Sequence, residues 1–90
     1  MGGRSLDRFS IVALLKACAS LKDLDSGSKL HGEINKLGLL RKDLYVGNAL
    51  VDMYAKCNSL EKAKQAFDML PVRDVVSWNT LISGYARLEH

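Results

Sequence analysis

Apolar residues recur along this chain at helical spacing, and they do so three times in matching form. Ile11, Leu14, Leu15 and Cys18 occupy i, i+3, i+4 and i+7; Gly47, Leu50, Val51 and Tyr54 repeat the template, and Trp78, Leu81, Ile82 and Tyr85 repeat it again. Each set predicts one apolar stripe on a helix of three to four turns. Between them lie two further sets, Leu24, Gly27, His31, Ile34 and Leu60, Ala63, Phe67, Leu70, which match at a shift of 36 positions. These predict second helices. Asp23 is placed to cap the first of them, and Asn58 with Glu61 offers a capping-box-like start to the other. Gly38 and Pro71 are stop signals at their C-terminal ends. The connections left are a few residues long, which forces neighbouring helices antiparallel.

The pattern is a repeat. Asn48–Lys56 (NALVDMYAK) returns as Asn79–Arg87 (NTLISGYAR), and 79 − 48 is a shift of 31. Ala13–Lys16 aligns more loosely with Ala49–Asp52 at a shift of 36, and Asp7, Asp43 and Asp74 stand in register. Self-similarity at this period indicates stacked supersecondary units, so the expected fold class is all-α, an α-solenoid of about two and a half antiparallel helix-turn-helix repeats. Neither helix pair can bury both faces alone, and stacking solves this. The third unit, 75 to 90, holds one helix only. Its outward apolar surface, including Leu81 or Leu88, is expected to be exposed, a sign of truncation. Function therefore shifts from a pocket to a surface.

Composition agrees with a folded chain: of 90 residues, 48% are hydrophobic and 26% charged. A net charge of +3 tilts mildly towards anionic partners and does not by itself establish nucleic-acid binding. The two cysteines, Cys18 and Cys57, fit structural roles, with no CxxC pair and no zinc spacing. No stretch approaches the ~18 apolar residues of a membrane span, so no membrane partner is expected. Met1–Leu6 nearly fits a myristoylation start, but Leu6 stands where serine or threonine is wanted. The chain opens on no Arg/Ser-rich leader, which reads as a missing leader or as an excerpt of a longer protein. His31 sits on an apolar stripe, where a packed, hydrogen-bonded imidazole is the better reading than a general base, and His90 ends the chain. With no nucleophile–base pair, no phosphate loop and no H-x-E…P-C-x-x-C signature, neither an enzyme, a cofactor nor a small-molecule substrate is expected.

The strings LLKACASL, VGNALVDMYAKCNSLEKAKQAFDMLP and DVVSWNTLISGYAR, in this order, make residues 7 to 90 resemble plant pentatricopeptide repeat proteins of the class that mixes P, L and S repeat types. On that resemblance 8–43 looks like an L repeat, 44–74 an S repeat and 75–90 the first helix of a P repeat, with 1–7 a tail or the end of a preceding repeat. The resemblance implies that each repeat reads one base of single-stranded RNA through its fifth and last residues. Carried over, the S repeat supplies Asn48 and Asp74, a pair that implies a pyrimidine with uridine ahead of cytidine. The L repeat would supply Val12 and Asp43, and the third unit Asn79. Second-position residues that sandwich bases would be Phe9, Tyr45 and Val76, and Lys56 and Arg87 would contact phosphate. Ser20 stands at that place in the L repeat.

Each assignment has a purely structural alternative. Asn48 and Asn79 can satisfy backbone groups near helix starts, and Asp43 and Asp74 suit the positive end of a helix dipole. Phe9 and Tyr45 can pack between repeats; Trp78 fits core packing better than stacking on a base. Lys56 and Arg87 can be solvated charges at helix C-termini. At the level of the whole protein the resemblance implies choice of sites for organellar RNA processing, chiefly cytidine-to-uridine editing, in mitochondria or chloroplasts. Plant organellar editing cofactors are candidate partners, and the rival reading is a helical-repeat protein-interaction scaffold.

Overall fold

The computed structural model describes residues 7–88, in six helices: α1 (Arg8–Leu21), α2 (Leu24–Leu37), α3 (Leu39–Lys42), α4 (Leu44–Lys56), α5 (Leu60–Met69) and α6 (Val75–Leu88). The near-myristoylation start at Met1–Leu6, His90 and the Leu88 side chain lie outside what is described. The first helices α1, α4 and α6 lie side by side, with α2 against α1 and α4 and α5 against α4 and α6. The stack measures 48 × 28 × 17 Å.

Helix ends follow local chemistry. Asp7, Asp23 and Asp43 cap α1, α2 and α4, accepting from Ser10 N at 2.8 Å, Ser26 N at 3.1 Å and Tyr45 N at 3.0 Å. Gly38 closes α2 in the left-handed conformation at φ 67°, where glycine carries no Cβ penalty. Pro71 stops the chain after α5, leaving Leu70 extended as the residue before proline prefers. The expected start of α5 is corrected. Asn58 is not its cap: it takes φ 64°, finishing α4, and Ser59 occupies the N-cap position without a side-chain bond. Asparagine is among the few residues that tolerate the left-handed region, and that use displaced the capping one. The short α3 was not expected from the periodicity.

α4 is covered from two sides. Val46, Leu50 and Met53 on one stripe, and Gly47, Val51 and Tyr54 on the next, are all buried. The neighbouring helices each show only half of this. In α1 the set matching the second stripe (Ile11, Leu15, Cys18) is buried, while Leu14, matching Leu50, is exposed. In α6 the set matching the first stripe (Ser77, Leu81, Gly84) is buried, and Trp78, Ile82 and Tyr85 are exposed. The expectation that Leu81 is exposed is therefore corrected: at 4% exposure it belongs to the core, because it faces back onto the preceding unit. Trp78 packs edge-on against Phe67, ring centroids 4.7 Å apart, and remains half exposed.

His31 is packed between α2 and α4, its Nδ1 2.7 Å from Tyr54 Oη. Its Nε2 is buried without a protein partner among the described residues. Burial, with Lys62 nearby, holds the imidazole pKa below its ordinary value. A folded pKa below the unfolded one means that the contribution is intact above about pH 6.5 and is lost as pH falls below it. Phe67 fills the matching place in the next unit. Relative to His31→Phe, the wild-type chain is expected to lose stability between pH 7.5 and 5.5 in urea unfolding; parallel pH profiles for the two proteins would refute this.

Close approach also fixes glycine usage. A Cβ on Gly47 would collide with buried Leu70, whereas one on Gly32, exposed on α2, would meet nothing within 4 Å. Gly47→Ala is expected to destabilise by about 1–3 kcal/mol through overpacking. Gly32→Ala is expected to stabilise by about 0.5–1 kcal/mol through helix propensity. Thermal unfolding of both variants checks the opposite signs.

Candidate nucleic-acid interface

The starts of α4 and α6 and the middle of α1 bound a groove of about 400 Å³. Tyr45 and Val76, 51% and 55% exposed, line it together with Asn48 and Asp74. Val12 and Lys16 line it from α1. Five of the residues singled out in the sequence, Val12, Tyr45, Asn48, Asp74 and Val76, are thus brought to one site. Val12 is buried and presents only hydrocarbon. Tyr45, and Phe9 outside the groove, are exposed.

Asn48 and Asp74 are held by a residue the sequence reading missed. Ser77, fully buried on the first turn of α6, donates its hydroxyl proton to Asn48 Oδ1 and accepts from Asp74 N at 3.3 Å. Asn48 Nδ2 donates to Asp74 Oδ1 at 3.4 Å, and Ser77 N donates to the same oxygen at 2.9 Å. The backbone N–H of Ser77, with the Asn48 amide, holds the Asp74 carboxyl below its usual pKa, so it is ionised at neutral pH. The signal was present: Asp-x-x-Ser recurs at Asp7/Ser10, Asp23/Ser26 and Asp74/Ser77, the spacing of an N-cap with its third helical residue. After these bonds, one Nδ2–H, one Oδ1 lone pair and Asp74 Oδ2 remain to meet a ligand.

The first unit differs. Asp43 accepts from Arg8 Nε at 2.8 Å and Arg8 Nη2 at 3.2 Å as well as from the start of α4. The Arg8 side-chain bonds are the main cause that depresses its pKa. Both Asp43 and Asp74 therefore do the structural work foreseen for a carboxylate at a helix start. Asn79 is exposed on α6 and does not line the groove.

The cations gather at the other end of the first helices. Lys56 pairs with Asp52 at 3.0 Å, and Lys16, Asp52 and Lys56 line an adjoining cleft of about 200 Å³. Arg87 Nη2 donates to Ala55 O and Lys22 Nζ to Lys56 O, each at 3.1 Å, so both cap the negative end of α4. Lys16 and Lys22 look scattered in the sequence, and only the fold brings them beside Lys56. Among the described residues no group of three or more His, Cys, Asp or Glu is placed to hold a metal ion, and no helix is long and apolar enough to cross a membrane.

Antiparallel helix pairs stacked in register, with one groove between successive first helices, define an α-solenoid of helical hairpins. Residues 48–75 and 76–90 match the family model of the PPR repeat. A mitochondrial pentatricopeptide repeat-containing protein of Arabidopsis thaliana is 49% identical over 88 residues, 98% of this chain and 8% of the relative. A second from the same plant is 46% identical over 90% of this chain and 10% of its own length; a chloroplastic one is 46% identical over 88% and 15%. The chain belongs to the pentatricopeptide repeat family. It spans about a tenth of the length of these relatives. Proteins of this family are in general non-enzymatic RNA-binding adaptors in organellar RNA processing.

Ser77→Ala is expected to cost about 1–3 kcal/mol, because it removes the buried hydroxyl that partners the part-buried Asn48 Oδ1 and Asp74 N–H. Ser10→Ala, at the exposed matching position, should stay within about 0.5 kcal/mol of wild type. Urea unfolding of the two variants tests the difference, and equal values would show that the Ser77 network carries no stability.

Proposed function

We propose that this chain is a module that recognises single-stranded RNA by sequence, with the unit 44–74 as its base reader. The observation that carries this is the groove in which Tyr45 and Val76 flank the polar pair Asn48 and Asp74. A base entering it stacks on Tyr45 and presents its Watson–Crick edge to an amide whose orientation Ser77 already fixes. Uracil offers N3–H beside carbonyl oxygens, so the open Asn48 Oδ1 lone pair or Asp74 Oδ2 can accept from N3–H while the free Asn48 Nδ2–H donates to a neighbouring carbonyl oxygen. Cytosine can use the same amide through its N4 amino group and N3, so the site takes a pyrimidine, with uridine ahead as the family resemblance implies. Asn79 would begin the next reader. Lys56 and Arg87, joined by Lys16 and Lys22, supply phosphate contacts.

In the full-length protein these units are assigned as L, S and P repeats. Their role is to address a site of organellar RNA processing, such as cytidine-to-uridine editing, in a mitochondrion or chloroplast. A second reading is a helical-repeat scaffold on whose outer helix faces protein partners such as editing cofactors dock.

Fluorescence anisotropy with uridine, cytidine and adenosine hexanucleotides at low salt tests the RNA reading. Uridine is expected to bind most tightly, and Asn48→Ala or Asp74→Ala to erase about 1–3 kcal/mol of that preference. Lys56→Ala should weaken all three alike and lower the salt slope by about 0.7. Equal binding of all bases, unchanged by the Asn48 and Asp74 variants, overturns base reading.

A further inference from the structure

The first unit has the parts of a second reading slot, and a side chain of the protein already stands there. By the register of the groove, its base would stack between Phe9 and Tyr45 and face Val12 and Asp43. The Arg8 guanidinium lies 5.7 Å from the centre of the Phe9 ring and 5.5 Å from that of Tyr45. Its two donors engage both oxygens of Asp43. A guanidinium is flat, stacks on aromatic faces and makes paired hydrogen bonds along one edge, so it satisfies the groups a base would otherwise satisfy.

The neighbouring slot lacks this occupant. Leu44 stands in the second unit where Arg8 stands in the first, and Val75 in the third. Asp74 accordingly keeps Oδ2 free of protein partners among the described residues, while Asp43, 14% exposed, has both oxygens engaged.

We infer that Arg8 is an internal base mimic that closes the first unit's slot, so that this unit spaces the RNA without reading or stacking a base. The inference rests on the RNA-binding reading above. It goes further than the absence of a hydrogen-bonding group at Val12, since stacking on Phe9 and Tyr45 needs no such group and would otherwise remain available. A base would have to displace two charge-assisted hydrogen bonds and two ring contacts to enter.

The sign of one substitution tests it. Arg8→Leu installs the residue of the second unit and removes a positive charge, which for a phosphate-contacting arginine weakens binding to any RNA. An opened slot does the reverse, adding a stacked base and tightening uridine and adenosine hexanucleotides alike by roughly fivefold or more. The 90-residue chain and the variant are titrated with each hexanucleotide while the Phe9 ring resonances are followed by NMR. Circular dichroism checks that the variant is folded, and Arg8→Lys, which keeps the charge without the flat stacking group, serves as a second variant. We expect Phe9 to be silent to RNA in the wild type and to shift in both variants, with tighter binding by Arg8→Leu. Weaker binding by Arg8→Leu, or a Phe9 that responds already in the wild type, overturns the closed slot and leaves base reading by Asn48 and Asp74 standing. No binding by any of the three proteins overturns the RNA reading itself, and the base mimic with it.

Discussion

A helix that is apolar around most of its circumference is stable only where neighbours cover it, and α4 is that helix. With Val46, Leu50 and Met53 on one stripe and Gly47, Val51 and Tyr54 on the next, it needs both α1–α2 and α5–α6. The arrangement of the whole molecule follows. α1 and α6 each bury the one stripe that meets the middle unit. Small residues set how close the layers come: Gly47 admits Leu70, and Gly84 lies where a Cβ would be 2.9 Å from Ala55 Cβ. The close parallel lay of α1, α4 and α6 places the starts of successive first helices side by side, and the groove is the gap between two such starts. Core packing and the candidate site are therefore one problem seen from two sides.

On the RNA-binding reading proposed above, the aspartate before each first helix would combine a structural role with a recognition role. An N-cap uses one carboxylate oxygen to satisfy a free helical N–H and leaves the other unengaged. At Asp74 that second oxygen stays open. At Asp43 it is taken by Arg8, and the same capping geometry yields a group with nothing left to offer. Capping thus does not compete with reading. On the proposed reading, what would decide is the residue that opens the unit, Arg8 in one case and Leu44 in the other.

Much of this was legible in the residues. The three matching stripes and their offsets of 31 and 36 fixed the helix pairs, and Gly38, Pro71 and Asp23 marked ends that the structure keeps. Asn58 was misread because asparagine serves both helix starts and left-handed turns, and only the path of the chain after α4 decides between them. Leu81 was misread because periodicity finds an apolar face without saying which neighbour covers it. Ser77 and Arg8 escaped for a further reason. Ser77 bonds to Asn48 across 29 positions and Arg8 to Asp43 across 35, and separations of that size become contacts only once the units stack.

Charge distribution gives the proposed interface a direction. The carboxylates Asp43 and Asp74 sit at the starts of the first helices, while Lys22, Lys56 and Arg87 lie towards their ends and Lys16 between, with Asp52 paired to Lys56 and Asp23 next to Lys22. On the reading proposed above, a polyanion laid along the groove would be repelled at one margin and attracted at the other, with its phosphates over the lysines and its bases towards Asn48 and Asp74. Two of those cations, Lys22 and Arg87, are already tethered to backbone carbonyls of α4, so their charge is held in place before any ligand arrives. Orientation of the strand then comes from long-range charge and identity of the base from short-range hydrogen bonds. The two act on different atoms of the nucleotide, which lets sequence preference vary from unit to unit while the mode of attachment stays the same.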